Sequence, residues 1–204
     1  MTPSAGRRRP RRRRALWWLL GIALTGAALA WLASAPLATA PVDLTTGGLV
    51  GKPAPPLRGA TLDGATIDLT VDGRDRLTWV NFWATSCEPC RTEMPAMQAL
   101  GERYADRLLI VGVDWGEATD SVADFVARYE VRYPIVLDPT LDTFYAWNPI
   151  DGLPRHFFVD GHGVVVRQVI GPLHPDAMVT ILEELLGAAS PDAARSNGVR
   201  HRSV

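Results

Sequence analysis

The chain has 204 residues, of which 47% are hydrophobic and 21% charged, a composition that supports a packed core and excludes global disorder. Two cysteines are too few for a disulfide-dense scaffold or a four-cysteine zinc ribbon. The net charge is −1, but the charges are unevenly distributed along the chain. Residues 1–14 carry seven basic residues and no acid, and the rest of the chain carries the other 14 of the 21 basic residues and all 22 acidic ones. An acidic body argues against nucleic acid as the partner.

The N-terminal segment predicts a basic cytoplasmic tail, residues 1–14, followed by a transmembrane anchor, residues 15–35. The second segment contains no charged side chain. As a helix it spans about 31 Å, the thickness of the hydrocarbon core of a bilayer. Trp17 and Trp31 lie near its two ends, where amphipathic rings favour the membrane interface. Arginines before the span, with none after it until Arg58, predict a cytoplasmic N-terminus and a body on the periplasmic or extracellular side.

The alternative for this segment is a cleaved signal peptide. Small-x-small sites occur at residues 33–35 and 38–40. Each is followed at once by a proline, Pro36 or Pro41, which is a poor residue after a cut. The apolar run is also longer than a usual signal core, and the sequence therefore favours the uncleaved anchor.

The rest of the chain predicts a Pro- and Gly-containing linker over 36–49, one domain over 50–187 and a disordered polar tail over 188–204. Within the domain, apolar and β-branched runs predict strands at 57–60, 66–69, 77–83, 108–113, 135–137, 156–159 and 164–170. Helical spacing predicts helices at 90–104, 121–129, 141–145 and 175–187. Asp63-Gly64 predicts a hairpin turn, and Ser121 with Asp124 predicts a capping box.

This order of elements predicts an α/β domain. Strands joined through helices are expected to be parallel, whereas the last two strands, joined by a tight turn, are expected to be antiparallel. A central mixed sheet flanked by helices follows, preceded by an N-terminal hairpin.

The chemistry is predicted at one turn, Cys87-Glu88-Pro89-Cys90, which follows a buried strand and opens a helix. The free amides and positive dipole end of that helix face Cys87 and stabilise a thiolate, the nucleophile of disulfide exchange. Two intervening residues allow Cys90 to close a ring with Cys87. Glu88 is predicted to modulate the site, because its charge should disfavour the thiolate.

Four other roles are possible for the cysteines at this turn. A purely structural disulfide would close a ring too small to remove much unfolded-state entropy. Zinc would need two more ligands, and the four histidines form no pair at ligand spacing, so no metal site is predicted. Copper chaperones with three residues between their cysteines fit poorly. A Thr-x-x-Cys peroxidase would need threonine at position 84, where the chain has Ala84.

Several motifs resemble the thioredoxin-fold family of membrane-anchored thiol–disulfide oxidoreductases of the TlpA/ResA type. The resemblance covers roughly residues 50–187 in order and without large gaps. It rests on VNFWAT (80–85), CEPC (87–90), RTEMP (91–95), GV (112–113), GE (116–117), YPIVLD (133–138), GLP (152–154) and FFVDG (157–161).

The resemblance implies roles for individual residues. Cys87 matches the exposed attacking cysteine and Cys90 the buried resolving cysteine, and the two form a redox-active disulfide. Glu93 matches a glutamate that takes or gives the proton during exchange. Pro154 matches a cis-proline, and the residue before it, Leu153, packs against the cysteines and pairs its backbone with the substrate.

Other residues near these motifs either extend the predicted site or depart from the family pattern. Trp83 is predicted to lie in the core or in the wall of the substrate groove, and it is a candidate substrate-binding residue. Ser86 stands where the family often has tryptophan, and Arg155 and His156 stand where it tends to small or polar residues. Asn81 replaces the buried aspartate of cytosolic thioredoxins, which makes Glu93 the better proton acceptor.

The implied function is reduction of protein disulfides, with apocytochrome c as substrate and a membrane electron donor that recharges the protein in an oxidising compartment. No cofactor beyond the cysteine pair is expected. The cytochrome assignment rests on analogy. Two alternatives remain open: an oxidase or other redox partner for secreted proteins, and a non-enzymatic copper-handling or structural domain.

Overall fold

The computed structural model describes residues 22, 25, 42–44, 48–148 and 152–188. The chain divides into two units, residues 1–39 and 40–204, and the fold below is that of the second unit. In the described ranges, no helix is long and apolar enough to cross a membrane.

Most of the predicted N-terminal and C-terminal segments lie outside these ranges. The predicted basic tail is not described, and the predicted anchor over 15–35 is described only at Ile22 and Thr25. Of the tail over 188–204, only Ala188 is described, and it ends a helix.

The second unit contains eight strands and five helices among the described residues. The strands are Val42–Leu44 (β1), Arg58–Ala60 (β2), Thr66–Asp68 (β3), Leu77–Trp83 (β4), Leu108–Asp114 (β5), Ile135–Val136 (β6), Arg155–Val159 (β7) and Val165–Ile170 (β8). The helices are Leu69–Asp72 (α1), Glu88–Arg103 (α2), Thr119–Arg128 (α3), Asp142–Trp147 (α4) and Pro175–Ala188 (α5).

Six of the strands form one mixed sheet in the order β1-β8-β7-β4-β5-β6, and β2 and β3 form a separate antiparallel hairpin. Strands β4, β5 and β6 run parallel, as expected for strands joined through helices. Strand β7 runs antiparallel to both β4 and β8, and β1 pairs antiparallel with β8. The predicted central mixed sheet and the N-terminal hairpin are confirmed.

Strand β4 is buried along its whole length because both faces of the sheet are covered. Side chains alternate between faces in a strand, so Trp79 and Trp83 join one apolar cluster and Val80 and Phe82 join another. The first cluster is completed by α2, α3 and α5, for example through Met97. The second is completed by α4 and the hairpin. This packing fixes the carboxyl end of β4, from which the cysteine motif extends.

Part of the predicted linker is a strand. Residues 42–44 form β1 and pair with Ile170, Val169 and Gln168 of β8. A three-residue strand between prolines and glycines carries no periodicity, and its pairing partner lies far along the chain. The sequence therefore predicted an extended segment but not its place at the edge of the sheet.

The predicted capping box of α3 is wrong. The helix begins at Thr119, two residues before Ser121, and its N-cap residue Ala118 makes no side-chain hydrogen bond to the helix. The Ser-x-x-Asp pattern therefore lies inside the first turn of α3. A similar shift occurs after β3, where Leu69 begins α1 instead of ending the strand, because the Asp68 carboxylate accepts a hydrogen bond from the Thr70 amide at 3.0 Å.

Candidate active site

The cysteine pair lies where β4 ends and α2 begins. Cys87 is the N-cap residue of α2, and its sulfur accepts a hydrogen bond from the Cys90 amide at 3.3 Å. The two cysteines are joined by a disulfide, with their Cα atoms 5.3 Å apart. Cys87 is partly exposed, whereas Cys90 is only 1% exposed. A partner can therefore reach the sulfur of Cys87 but not that of Cys90.

The loop that carries the predicted cis-proline lies at the same end of the sheet. The Leu153–Pro154 peptide bond is cis, as the family resemblance implies. Strand β7 begins directly after it, and Arg155 of β7 pairs with Phe82, one residue before the end of β4. Pro154 is buried and its carbonyl accepts a hydrogen bond from the Gly171 amide at 3.0 Å. Leu153 is partly buried and packs against both apolar clusters.

A buried carboxyl group lies on the cysteine helix. Glu93 follows Cys90 by three residues, on the same face of α2, and its side chain is only 4% exposed. One carboxylate oxygen, Oε1, accepts a hydrogen bond from the Leu173 amide in the loop between β8 and α5. The other, Oε2, lies 3.4 Å from Nε2 of His156, which is fully buried. Cys90 thus shares its side of the helix with a buried carboxyl group.

A pair of carboxyl groups, those of Asp114 and Glu117, supports the loop before Cys87. The Glu117 carboxylate accepts hydrogen bonds from the amide of Thr85 and from its hydroxyl group, the latter at 2.6 Å. The Glu117 amide in turn donates to Asp114 Oδ2 at 2.9 Å. Asp114 is the last residue of β5 and pairs with Trp83. The ends of the two parallel strands are therefore tied together through the active-site loop.

Comparison with known proteins assigns this arrangement to a family. A model of the AhpC/TSA family matches residues 50–168. The chain is 30% identical over 137 residues to the thiol-disulfide oxidoreductase ResA of Bacillus cereus, covering 67% of this chain and 78% of ResA. It is 33% identical over 144 residues to the thiol:disulfide interchange protein HelX of Rhodobacter capsulatus, covering 70% of this chain and 80% of HelX. The chain belongs to the AhpC/TSA family.

The solved structures agree with the fold. A thiol:disulfide interchange protein of the thioredoxin family from Chlorobium tepidum superposes with a TM-score of 0.60 at 29% identity, covering 65% of this chain and 94% of the other. This AhpC/TSA member therefore has a thioredoxin-like fold, and with its Cys87–Cys90 pair it is a thiol-disulfide oxidoreductase.

The structure also defines the surroundings of two other predicted site residues. The structure places Trp83 in the core, one of the two positions predicted for it, because its side chain is fully buried and packs against Phe125 with ring centroids 5.0 Å apart. Glu88 is exposed, and its carboxylate pairs with the Arg91 guanidinium at 2.7 Å. The predicted modulating charge is therefore paired with a cation at the surface.

Arg155 and His156, which depart from the family pattern after the cis-proline, are both buried. Arg155 is only 7% exposed, and its Nε donates to the Gly152 carbonyl at 2.9 Å. Burial lowers the pKa of Arg155. His156 points to the opposite face of β7, toward Glu93. Arginine at this position therefore packs inside the domain and does not serve as a surface contact.

Sequence reasoning missed the contacts of His156 and of the Asp114–Glu117 pair. The sequence marked His156 only as a departure from the family, and Glu117 only as part of a motif. The position of His156 is set by strand pairing, which places it opposite Asn81 of β4. That register depends on folding of the whole sheet, and no local pattern predicts it. In the described part of the chain, no three His, Cys, Asp or Glu side chains form a group that could hold a metal ion.

Asp114 should make stability depend on pH. Burial raises its pKa from 3.8 to about 6, and the nearby Glu117 charge also raises it. A carboxyl group whose pKa is raised by folding stabilises the fold fully below the unfolded value, near 3.8, and this contribution is lost as pH rises through about 6.

We therefore expect Asp114→Asn to stabilise the protein above pH ~6.5, by on the order of 2 kcal/mol or roughly 5 °C in Tm, and to have little effect near pH ~4. Asparagine mimics the protonated acid, since its amide can donate to Glu117 without carrying a charge. Thermal unfolding at both pH values measures the effect. The exposed Asp106→Asn variant is the control, and an identical pH dependence in the two variants would contradict the prediction.

Proposed function

We propose that this thiol-disulfide oxidoreductase reduces disulfides of protein partners outside the cytoplasm, in the maturation of c-type cytochromes. The observation that carries the proposal is the buried carboxyl group of Glu93, one helical turn after the buried Cys90. A resolving cysteine that is shielded from solvent needs an internal proton acceptor before it can attack. Glu93 supplies that acceptor on the same helix.

The first step is attack on the partner. The reduced protein presents the Cys87 thiolate, stabilised by the Cys90 amide and the positive end of α2. Its sulfur forms a bond with one sulfur of the partner disulfide, and the other partner sulfur leaves as a thiolate. The product is a mixed disulfide between Cys87 and the partner.

The second step releases the partner. Cys90 transfers its proton to the Glu93 carboxylate, and the resulting thiolate attacks the sulfur of Cys87. The Cys87–Cys90 disulfide forms, the bond to the partner breaks, and the second partner sulfur leaves as a thiolate. The partner has gained two electrons and the protein has lost two, so no bound cofactor is needed.

Leu153 and Pro154 are proposed to bind the partner's backbone beside the cysteines. Within the described residues, no hydrogen bond involves the Leu153 amide or carbonyl, so both groups are free to pair with an extended peptide. This is the way in which a strand is added to the edge of a sheet. The partly buried Leu153 side chain would contact the partner next to the disulfide.

Apocytochrome c is the proposed substrate because its haem-attachment cysteines must be reduced before thioether bonds can form. The resemblance to TlpA/ResA-type proteins supports this choice. The apolar segment 15–35, preceded by seven arginines, supports a single-pass anchor with the domain over 50–187 outside the membrane. A membrane electron donor would then return two electrons to the oxidised pair in an oxidising compartment.

The proposal is tested with the reduced full-length protein and a peptide that carries an oxidised Cys-x-x-Cys-His sequence. We expect the peptide to be reduced at least about tenfold faster than a matched disulfide peptide without the haem-attachment sequence. Equal rates on both peptides would remove the cytochrome assignment. If the oxidised protein instead forms disulfides in reduced, unfolded secreted proteins faster than the reduced protein reduces the peptide, the oxidase alternative is correct.

A further inference from the structure

A closed polar cluster lies behind the active site, between β4, β7 and α2. Its members are Glu93, His156, Asn81 and the indole nitrogen of Trp79, and all four side chains are 4% exposed or less. A buried polar group normally has a hydrogen-bond partner, since an unpaired one costs free energy. The contacts within this cluster therefore determine which atoms carry protons.

The tautomer of His156 follows from Trp79. The indole nitrogen of Trp79 lies 3.2 Å from His156 Nδ1, and an indole nitrogen can only donate. His156 Nδ1 is therefore the acceptor. The amide nitrogen of Asn81 lies 3.2 Å from the same atom and donates to it as well. In the neutral ring the proton is then on Nε2.

The protonated nitrogen of His156 faces Glu93. Nε2 lies 3.4 Å from Glu93 Oε2, and neither atom makes a hydrogen bond within the described residues. The other oxygen of Glu93 accepts from the Leu173 amide. The further titratable groups on this side are Cys90 and Tyr133, and burial together with the Glu93 charge raises the pKa of Tyr133, so its phenol stays neutral.

We propose that His156 is a positioning residue for proton transfer, whose Nε2–H donates to Glu93 Oε2 in the reacting protein and orients the Glu93 carboxylate as the acceptor for the proton of Cys90. This inference rests on the role of Glu93 in the proposed function. A contact of 3.4 Å in the oxidised protein is consistent with it, because catalytic hydrogen bonds often shorten only in the reacting state. The Trp79 indole satisfies only Nδ1, so Glu93 is the group that faces the remaining donor, Nε2–H.

Two amide substitutions separate these roles. His156→Asn keeps an acceptor near the position of Nδ1, so it can still bind the Trp79 indole, but it lacks a donor toward Glu93. His156→Gln reaches the position of Nε2 and keeps that donor. We expect the Asn variant to exchange disulfides about tenfold more slowly near pH ~6, because the Glu93 carboxylate is no longer held in place to accept the proton of Cys90. Near pH ~9 it should match the wild-type rate, because a thiol at that pH loses its proton without an acceptor. The Gln variant should follow the wild-type pH profile within about twofold.

The rate of peptide disulfide reduction by the full-length protein across this pH range is the readout, with thermal unfolding as the check on folding. If either variant fails to fold, Trp79→Phe tests the same link, because it leaves Nδ1 with the Asn81 amide as its only donor and should give a smaller shift of the profile in the same direction. Equal profiles for the Asn and Gln variants would overturn the inference, as would an unshifted profile for Trp79→Phe.

The Glu93→Gln background separates failure of the inference from failure of the proposed mechanism. If Glu93→Gln changes the profile and His156→Asn then has no further effect, His156 acts through Glu93. If Glu93→Gln changes the profile and His156→Asn alone does not, only the inference about His156 is wrong. If Glu93→Gln leaves the profile unchanged, the proton role of Glu93 is wrong and the inference about His156 is overturned with it.

Discussion

Replacement of Cys90 by serine is expected to abolish turnover and to leave partner proteins bound to Cys87 through a mixed disulfide. Cys87 remains partly exposed at the start of α2 and can still attack a partner disulfide. The mixed disulfide cannot be resolved, because serine at position 90 provides no thiolate. We expect turnover to fall by at least about a thousandfold, while covalent complexes accumulate and are visible on non-reducing gels.

Cys87→Ser is the matched control for this experiment. Its remaining thiol, Cys90, is only 1% exposed and should form no complexes with folded partners. The reverse result, in which Cys87→Ser traps partners and Cys90→Ser traps none, would show that the attacking and resolving roles are exchanged. Mass spectrometry of the trapped complexes would in addition identify the partners and show whether cytochrome precursors are among them.

The second large effect is expected from Glu93→Gln. Glutamine can still accept the hydrogen bond from the Leu173 amide but cannot take a proton from Cys90. We expect release of the partner from the mixed disulfide to slow by about a hundredfold at neutral pH, with a smaller effect on the first attack by Cys87. Rapid mixing of the reduced protein with peptide disulfide, followed by acid quenching, separates the two steps.

Glu102→Gln is a suitable control for the charge change, because Glu102 is an exposed residue near the end of the same helix. That variant should retain the wild-type rates. If Glu93→Gln releases the partner as fast as the wild-type protein at every pH, Glu93 is a structural residue. Another group would then have to accept the proton of Cys90.

The sequence predicted those parts of the fold that are set by local patterns. The apolar run over 77–83 matches β4 at both ends, because a strand buried on both faces leaves a continuous hydrophobic signal. The cysteine turn and the cis bond before Pro154 were predicted from motifs. The start of α3 is an exception. Its predicted capping pattern, which begins at Ser121, lies within the helix, because the helix already begins at Thr119.

The contacts that require strand pairing could not be predicted in this way. His156 meets Glu93 only because β7 pairs with β4 in a register that places it opposite Asn81. Asp114 and Glu117 reach the active-site loop because β5 ends beside β4. For Trp83 the sequence left two positions open, the core and the groove wall, and the structure shows that the side chain packs in the core. Burial of individual side chains is decided by the whole sheet.

In the proposed function, the cysteine pair donates electrons to its partners. The most direct test is the reduction potential of the full-length protein, measured by equilibration with thiol buffers of known potential. We expect a reduction potential near that of thioredoxin, about −270 mV, at which the reduced cysteine pair is a good electron donor. A value near that of the strong oxidant DsbA, about −120 mV, would contradict it and make disulfide formation in secreted proteins the function.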